Sequence, residues 1–275
     1  MMQKTLKWAR LAFAAVSLMA MTVLFVFPVE QVVKWLGWLP EVQIVPAVAA
    51  GAVVTLIALF VLTILFGRVY CSVVCPLGVA QDFFRSIVTL GFLHKRRSAR
   101  HYGFSVRTLW IVRVVVLFSF VMLIFCGMMA YLEPYGIFAR TIVLVREFVG
   151  SLLPKQGIIS VIARHLNFRE GMVLPVGVSV IIIFSACTIL GATIFRARWW
   201  CNTVCPVGTV LGIVSRWSVF RVRIRAEKCV GCGLCAKACA AGAIVSDKVA
   251  KVDNSRCVAC MNCADVCKKE ALKWR

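Results

Sequence analysis

Eight of the fourteen cysteines of this 275-residue chain lie close to its carboxyl end, in two segments with the same spacing. The segments read CVGCGLCAKACAAG and CVACMNCADVCKKE, and each contains the pattern C-x2-C-x2-C-x3-C. Bacterial proteins with two iron–sulfur clusters use this pattern, and the fourth cysteine of each run ligates the other cluster. The sequence therefore predicts two [4Fe–4S] clusters. The predicted ligands are Cys229, Cys232, Cys235 and Cys267 for the first cluster, and Cys257, Cys260, Cys263 and Cys239 for the second.

Two other uses of these cysteines fit the pattern less well. Zinc sites usually pair two C-x2-C units and do not use a third and a fourth cysteine at this spacing. Disulfides are disfavoured because the charge distribution described below places this segment on the reducing side of a membrane. Gly231 and Gly233 allow the backbone to fold closely and to direct N–H groups at cluster sulfurs. Ala240 and Lys268 follow the fourth cysteines, where ferredoxins usually have proline.

Four further cysteines occur in two related phrases, VYCSVVCPLGVAQ from Val69 and WWCNTVCPVGTVL from Trp199. Each phrase contains C-x3-C-P and follows a long apolar run and a basic residue. Three interpretations are open: joint binding of a further metal ion or cluster, a pair of redox-active dithiols, or a structural role in which Pro76 and Pro206 begin interfacial helices. A ligand or redox role is favoured because both cysteines recur in both phrases. The four residues are Cys71, Cys75, Cys201 and Cys205.

The apolar residues before these phrases are grouped into long stretches. The chain is 61% hydrophobic and only 16% charged, which is too apolar for an ordinary soluble domain. A helix of about 20 apolar residues crosses a bilayer and satisfies its own backbone hydrogen bonds in lipid. The predicted fold is therefore an integral membrane α-helical protein with four transmembrane helices. These spans lie at about 11–27, 44–66, 111–131 and 172–195.

Lysine and arginine are distributed unevenly around the four predicted spans. An even number of spans puts both termini on one side, together with the loop HKRRSARH and the basic tail. The positive-inside rule then places both termini and both cysteine phrases in the cytoplasm. The first apolar run has no small-residue cleavage site after it, so we interpret it as an uncleaved anchor. The net charge of +21 follows from these flanks, which face anionic lipid, and we expect no nucleic-acid partner.

The chain is predicted to have two domains. Residues 1–220 form the four-span membrane domain with both C-x3-C-P motifs, and residues 221–275 form an α+β domain like the bacterial 2[4Fe–4S] ferredoxins. Within the second domain, IVSDKVAKVD predicts a short hairpin and FRVRIRAEKC a strand or linker. The long loop from about 132 to 171 contains IFARTIVLVREFVGSLL, whose apolar residues have helical spacing.

Other redox cofactors lack the residues that they need. The three histidines, His94, His101 and His165, lie outside the predicted spans, which excludes a transmembrane haem held by two histidines. No G-x-G-x-x-G or P-loop sequence occurs, which argues against a bound nucleotide. A quinol donor fits such a membrane protein, and its oxidation needs a proton acceptor at the bilayer edge. Glu133 and Asp82 are the candidates, although each alone is more simply a solvated interfacial carboxylate.

The whole chain resembles the NapH-type membrane ferredoxins, in which C-x3-C-P follows spans two and four and a pair of ferredoxin motifs ends the chain. It is similar also to the MauN proteins and to the membrane cores of the NosR and CcoG families. We expect neither the flavin-binding domain of NosR-like proteins nor the extra carboxyl-terminal domain of CcoG-like proteins, which favours the NapH or MauN type. The resemblance implies a haem-free quinol dehydrogenase component in the bacterial inner (cytoplasmic) membrane. Its implied partners are the quinone pool, an iron–sulfur subunit of NapG type, and a downstream reductase such as periplasmic nitrate reductase.

A second class of function is open at this point. As the resemblance to MauN and CcoG allows, the cysteines could reduce a metal ion or a disulfide during the maturation of another enzyme. A third interpretation is a structural subunit that anchors a partner and performs no chemistry of its own. The sequence favours the respiratory relay from quinol over both.

Overall fold

The computed structural model describes residues 2–91, 106–125, 133–152, 176–195, 198–246 and 249–274. Residues 2–91 form a series of six helices, and the last of these follows the first cysteine phrase. A 3-10 turn at Pro40–Val42 separates the second helix from the third. The helices of this first repeat are α1 (Met2–Val26), α2 (Glu30–Leu36), α3 (Ile44–Ala49), α4 (Val53–Phe66), α5 (Tyr70–Val73) and α6 (Pro76–Gly91).

A second repeat has a similar order of elements. Its helices are α7 (Val106–Phe125), α8 (Pro134–Leu152), α9 (Val176–Phe195), α10 (Trp199–Thr203) and α11 (Pro206–Val214). In both repeats an apolar helix, α4 or α9, leads to a short helix with the first cysteine of the phrase, α5 or α10. The next helix, α6 or α11, begins at the proline after the second cysteine, where the missing N–H of proline costs nothing.

The two repeats pack across each other. Helix α4 of the first repeat packs against α11 of the second, and α9 of the second packs against α6 of the first. Helix α1 covers α5 and α6, and α7 occupies the equivalent place against α10 and α11. This exchange of partners brings the two cysteine phrases together.

Among the described residues, one segment has the length and composition of a membrane-crossing helix, Thr5–Val26 in α1. Three shorter apolar segments lie at the other predicted spans, at Val53–Phe66, Trp110–Phe125 and Ser179–Ile194. The four-span arrangement therefore stays a prediction. Positions 126–131 and 172–175 of the third and fourth predicted spans lie outside the described residues.

The second predicted span is wrong in one respect, because residues 44–66 form two helices, α3 and α4, instead of one. The chain turns between them at Gly51, whose φ of 67° is left-handed. The N–H of Ala52 donates to the carbonyl of Ala47 at 2.9 Å and closes this turn. Before α3, the hydroxyl of Tyr70 donates to Gln43 Oε1 at 2.7 Å, so the start of this segment already lies beside the first cysteine phrase.

The long loop after the third predicted span contains α8, as its helical spacing predicts. This helix packs against α1, α6 and α9 and is part of the bundle. The buried Arg146 donates from Nη1 to the carbonyl of Phe25 at 3.2 Å, near the end of α1. The rings of Phe25 and Tyr135 also pack together, with their centroids 5.8 Å apart. Residues 153–171 of the loop lie outside the described part of the chain.

The tail has the α+β fold that the sequence predicts. Its first and last strands pair in antiparallel fashion, with Val222 opposite Trp274. The second and third strands form another antiparallel pair, which confirms the predicted hairpin; residues 247 and 248 within it are not described. The elements are β1 (Val222–Ile224), α12 (Leu234–Ala238), β2 (Ile244–Val245), β3 (Lys251–Val252), α13 (Asn262–Val266) and β4 (Leu272–Trp274).

Several contacts hold the tail against the helices. Just before the tail begins, the backbone N–H groups of Val219 and Phe220 donate to the carbonyls of Ile64 and Leu65, at 2.9 and 2.8 Å. Within the tail, the ring of Trp274 in β4 packs edge-on against Phe66 at the end of α4. At the other edge of the tail, Lys7 of α1 forms a 2.8 Å salt bridge with Asp265 of α13. The tail therefore contacts both the first helix and the end of α4.

Candidate functional site

The eight tail cysteines line two different cavities. The outer cavity, of about 220 Å³, includes Cys229, Cys232, Cys235 and Cys267 in its wall. The inner cavity includes Cys239, Cys257, Cys260 and Cys263. Each cavity thus brings together three cysteines of one run and the fourth cysteine of the other run. The two differ in exposure, because Cys232 of the outer cavity is exposed whereas Cys239, Cys260 and Cys263 of the inner one are buried.

The backbone around these cavities repeats with the same period as the cysteines. Gly231 and Gly233 have φ values of 68° and 70°. The residues 28 positions later, Ala259 and Met261, adopt the same left-handed conformation with φ values of 52° and 62°, which is uncommon for residues other than glycine. The second run therefore keeps the loop shape of the first without its glycines.

Backbone donors point at the sulfurs of the fourth cysteines. The N–H of Ala243 lies 3.3 Å from Cys239 Sγ, and the N–H of Ala271 lies 3.4 Å from Cys267 Sγ. Such hydrogen bonds to ligating sulfurs stabilise a cluster and influence its reduction potential. The donor set and the surrounding backbone therefore fit iron–sulfur clusters.

The four cysteines of the C-x3-C-P phrases lie close together in the interior, and we call them the four-cysteine site: Cys71, Cys75, Cys201 and Cys205. Each is 4% exposed. Burial raises the pKa of Cys205, and the neighbouring thiols Cys201 and Cys75 raise it further because like charges repel. Burial raises the pKa of Cys201 to about 11, although Arg198 opposes this increase. A bare thiolate is therefore costly here, and a ligand of positive charge would offset that cost.

No group of three His, Cys, Asp or Glu side chains in the described ranges is arranged to bind a single metal ion. This holds for the tail cysteines as well as for the four-cysteine site. A [4Fe–4S] cluster distributes its cysteine ligands over separate irons.

Two buried arginines cross between the phrases, and we call Arg68 and Arg198 the crossed arginine pair. Each arginine precedes the first cysteine of its own phrase by three residues. Arg68 Nη2 donates to the carbonyl of Cys201 at 2.9 Å, and Arg198 Nη1 donates to the carbonyl of Cys71 at 2.6 Å. Each arginine therefore binds the opposite repeat, which relates the two phrases by an approximate two-fold symmetry.

Further partners of the pair come from α6 and from the tail. Arg198 Nε donates to Asp82 Oδ1 at 2.9 Å and forms a salt bridge with the same carboxylate. Arg68 Nη1 donates to Asn202 Oδ1 at 2.6 Å and to the carbonyl of Ser255 at 3.1 Å. Asp82 is thus held in an ion pair and is not simply a solvated carboxylate.

A third buried arginine, Arg113 of α7, joins the same network. It donates from Nε to the carbonyl of Asn202 and from Nη1 to Ser255 Oγ, both at 3.3 Å. The Asn202 amide also donates to the carbonyl of Ala241 in the tail, at 2.7 Å. Through Arg68 and Arg113, these contacts link the loop around Ser255 to the phrase that contains Cys201.

Two glycines allow the phrases to close. A Cβ on Gly208 would overlap the carbonyl oxygen of Cys201, and a Cβ on Gly78 would overlap that of Cys71. Each glycine follows the second cysteine of its phrase by three residues. The N–H of Gly208 donates to Cys205 Sγ at 3.3 Å and caps the start of α11.

Glu133, the other candidate proton acceptor, has different surroundings. It precedes α8 and is only 5% exposed, and its Oε2 has no hydrogen-bond partner within the described structure. Burial raises its pKa to about 7, and Arg140 and the N–H of Gly136 oppose this shift in part. Glu133 is therefore a buried carboxyl group and not a solvated one.

Sequence reasoning missed the most connected residues of the site. It treated Arg68 and Arg198 as charged flanks of the spans, and it assigned no role to Asn202 or to the paired glycines. A signal was present, because R-x2-C-x3-C-P-x-G occurs in both phrases. The contact between Arg68 and Ser255 had no such signal, since it joins residues 187 positions apart.

Comparisons with known proteins agree with the iron–sulfur chemistry. A family described as 4Fe-4S binding domain matches residues 48–100 and again 177–225, so each match contains one C-x3-C-P phrase. A family described as 4Fe-4S dicluster domain matches residues 228–271. The chain therefore contains ferredoxin-type 4Fe–4S domains in its helical part and in its tail.

Three curated relatives have names that describe ferredoxin-type or electron transport proteins. The chain is 28% identical over 214 residues to the putative electron transport protein YccM of Escherichia coli, which covers 74% of this chain and 53% of YccM. It is 32% identical over 199 residues to the methylamine utilization ferredoxin-type protein MauN of Methylorubrum extorquens, covering 71% and 55%. MauN of Paracoccus denitrificans is 30% identical over 197 residues, covering 70% and 55%. The chain thus spans about half the length of these relatives, and no solved structure matches it significantly.

The close approach at Gly208 predicts a selective effect of alanine. G208A should lower the melting temperature and destabilise the protein by about 1–3 kcal/mol, because the new methyl group overlaps the Cys201 carbonyl. G191A is the matched control: Gly191 also lies within a helix, and a Cβ there would meet nothing within 4 Å. Thermal unfolding in detergent measures both variants, and equal melting temperatures would contradict the predicted contact.

The raised pKa of Glu133 predicts a pH-dependent effect of E133Q. The folded protein holds the proton of the Glu133 carboxyl group more tightly than the unfolded chain does. The protonated Glu133 therefore contributes its whole stabilisation below the ordinary glutamate pKa, and this stabilisation is lost as the pH rises through about 7. Glutamine does not ionise, so at about pH 8 the free energy of unfolding of E133Q should exceed that of the wild type by at most about 3 kcal/mol. E133Q should therefore have the higher melting temperature at that pH, and the difference should shrink towards about pH 5. The exposed Glu41 supplies the control E41Q, which should show no such trend. A constant difference across the pH range would disprove the assignment.

Proposed function

We propose that this iron–sulfur protein is a membrane-bound electron carrier that takes electrons from quinol and conducts them through three cysteine sites. The observation that carries the proposal is the succession of the outer cavity, the inner cavity and the four-cysteine site. Arg198 interacts electrostatically with both Cys201 of the four-cysteine site and Cys260 of the inner cavity. Arg68 likewise interacts with Cys257 of the inner cavity. The crossed arginine pair is therefore close to both sites, and Arg68 links them through its hydrogen bonds to the carbonyls of Cys201 and Ser255.

In the tail, the proposed ligands of the two [4Fe–4S] clusters are the two sets of four cysteines that line the cavities. The crossed composition of each set and the N–H donors at Cys239 and Cys267 support this assignment. Lys228, Lys268 and Lys269 line the outer cavity and would offset the negative charge of a thiolate-ligated cluster.

The four-cysteine site is proposed to hold a further [4Fe–4S] cluster, shared between the two repeats. Three observations support this cluster. The four thiols are buried together beside two guanidinium groups. In addition, a 4Fe-4S binding family matches the chain twice, once around each C-x3-C-P phrase. Bound clusters would supply one-electron transfer. The residues around them exclude water, donate hydrogen bonds to carbonyls of the cysteine phrases and balance charge.

A membrane location is supported by apolar side chains on the outside of four helices. Phe13 of α1, Val54 of α4, Phe118 of α7 and Phe184 of α9 are 69%, 83%, 64% and 72% exposed. Such large exposed apolar surfaces are rare on soluble monomers, and lipid removes their cost. We propose that these helices span the inner membrane of a bacterium, with both termini in the cytoplasm, as the positive-inside rule predicts.

The proposed relay runs from the quinone pool to a reductase, with an iron–sulfur protein of NapG type as the immediate partner and periplasmic nitrate reductase as the model for the final acceptor.

The alternative role in maturation would require thiols that reach a metal ion or a disulfide on another protein. Exposure of only 4% at each of the four C-x3-C-P cysteines disfavours direct disulfide exchange.

Iron counting tests the third cluster. Protein purified without oxygen should contain about twelve iron atoms per chain, four for each cluster, and C71A/C201A should contain about eight because the tail clusters remain. Cys187 of α9 is exposed, so C187A is a control that should keep all the iron. An iron content of about eight in the wild type would remove the third cluster from the proposal.

Quinol reduction tests the direction of electron flow. When the protein is placed in lipid nanodiscs without oxygen, adding a short-chain quinol should produce the EPR signals of reduced clusters. In C71A/C201A, quinol should reduce the tail clusters at least tenfold more slowly, while dithionite should still reduce them. If quinol leaves the wild-type clusters oxidised although dithionite reduces them, the respiratory function is wrong and a role in maturation is favoured.

A further inference from the structure

A groove of about 390 Å³ lies between α1 and α6. On α1, its lining residues recur three and four positions apart, from Arg10 to Thr22, so the groove follows one face of the helix for roughly 18 Å. On the other side it is lined by residues of α6 and by Ser72 of the first cysteine phrase. Helix α1 also carries the apolar segment that is long enough to cross a membrane.

The two ends of the groove differ in chemistry. One end is polar, with Arg10, Ser72, Asp82 and Ser86 in its wall. Beyond this end, the wall is formed mainly by apolar side chains. These are Leu11, Ala14, Ala15, Leu18, Met19, Val79 and Phe83. A long apolar molecule with one polar end fits this division.

Arg10 has hydrogen-bonding capacity left at the polar end. Its Nη1 makes only a long contact of 3.4 Å with the carbonyl of Ser72 and lies 3.8 Å from Asp82 Oδ2. Its Nε is buried and has no hydrogen-bond partner in the described structure. Because both Nη1 contacts are long, a ligand oxygen at this end would accept a shorter hydrogen bond from the Arg10 guanidinium than the protein itself provides.

The polar end also adjoins the four-cysteine site. Ser72 directly follows Cys71 in the chain. Asp82 binds Arg198, which in turn donates to the carbonyl of Cys71 at 2.6 Å. A redox-active ring held at Arg10 and Asp82 would therefore lie beside the cysteines that we propose as the membrane-side end of the electron path.

We propose that this groove binds an isoprenoid quinol, with its ring beside Arg10 and Asp82 and its tail along α1. Arg10 donates a hydrogen bond to a ring oxygen, and the Asp82 carboxylate accepts one from a quinol hydroxyl. The volume lies within the range of small-molecule pockets, about 300–1,000 Å³. This inference rests on the proposed function and gives its substrate a location, at Asp82 and not at Glu133.

Photoaffinity labelling tests the site by binding alone. The probe is a short-chain isoprenoid benzoquinone with an azido group, added to the full chain in lipid nanodiscs, and mass spectrometry locates the label. We expect saturable labelling within residues 10–22 and 72–86 that unlabelled quinone displaces. A15W should weaken labelling at least tenfold, because Ala15 lines the groove. A12W is the matched control on the same helix: Ala12 and Ala15 are both exposed, and Ala12 does not line the groove.

Removing the charge of Arg10 gives a second measure that does not depend on filling the groove. R10Q should weaken probe binding at least tenfold, and R10K should retain part of it. The iron content of each variant, compared with the wild type, shows that the fold is intact. The inference would be overturned if A12W and A15W were labelled equally, or if the label were located elsewhere. It would also be overturned if phosphatidylethanolamine displaced the probe as effectively as quinone does, because the groove would then be a lipid site.

The same variants separate this inference from the proposed function. If quinol reduces the clusters as fast in A15W as in the wild type while the label lies elsewhere, the electron-carrier function stands and this site is wrong. If the label is saturable in the groove but quinol does not reduce the wild-type clusters, the site stands and the proposed respiratory function is wrong.

Discussion

Two guanidinium groups buried in the interior, those of Arg68 and Arg198, constrain the rest of this structure. They are 0% and 1% exposed. A buried charge without partners costs several kcal/mol, so every element that supplies an acceptor is tied to its place. The acceptors belong to both cysteine phrases, to α6 through Asp82 and to the tail through Ser255. No one of these parts can move away without leaving a charge unsatisfied.

The same interactions explain why the iron–sulfur tail is not a separate module. Asn202 contacts Arg68 with its side-chain oxygen and donates its amide to the carbonyl of Ala241 in the tail. Gly212 of α11 has no side chain at the place where the carbonyl of Ser255 approaches; a Cβ there would lie 2.8 Å from that oxygen. The inner cavity is therefore held against the four-cysteine site by contacts that also neutralise charge. Positive charge between two thiol-rich sites favours electrons on both.

The outer and inner cavities arise from one duplicated sequence but have different environments. The outer one has lysines and an exposed cysteine in its wall, whereas the inner one is lined mainly by apolar side chains and by buried cysteines of the tail. Solvent exposure and nearby charge both influence the reduction potential of a cluster. A duplication of loops with the same cysteine spacing can thus yield two electron carriers of different potential, because the surroundings differ and the ligands do not.

The sequence by itself determined the chemistry: the cysteine spacing indicates iron–sulfur clusters, and the alternation in IVSDKVAKVD predicts the hairpin. It also predicted the helices that begin at Pro76 and Pro206 and the helix α8, since these depend on local rules of proline geometry and apolar spacing. The tertiary structure decided which groups meet. The division of residues 44–66 into α3 and α4, the crossing of Arg68 and Arg198 between repeats, and the groove beside Arg10 depend on contacts between residues far apart in the chain. Local patterns carry no information about such contacts, because a buried charge selects its partners from whatever the fold brings within hydrogen-bonding distance.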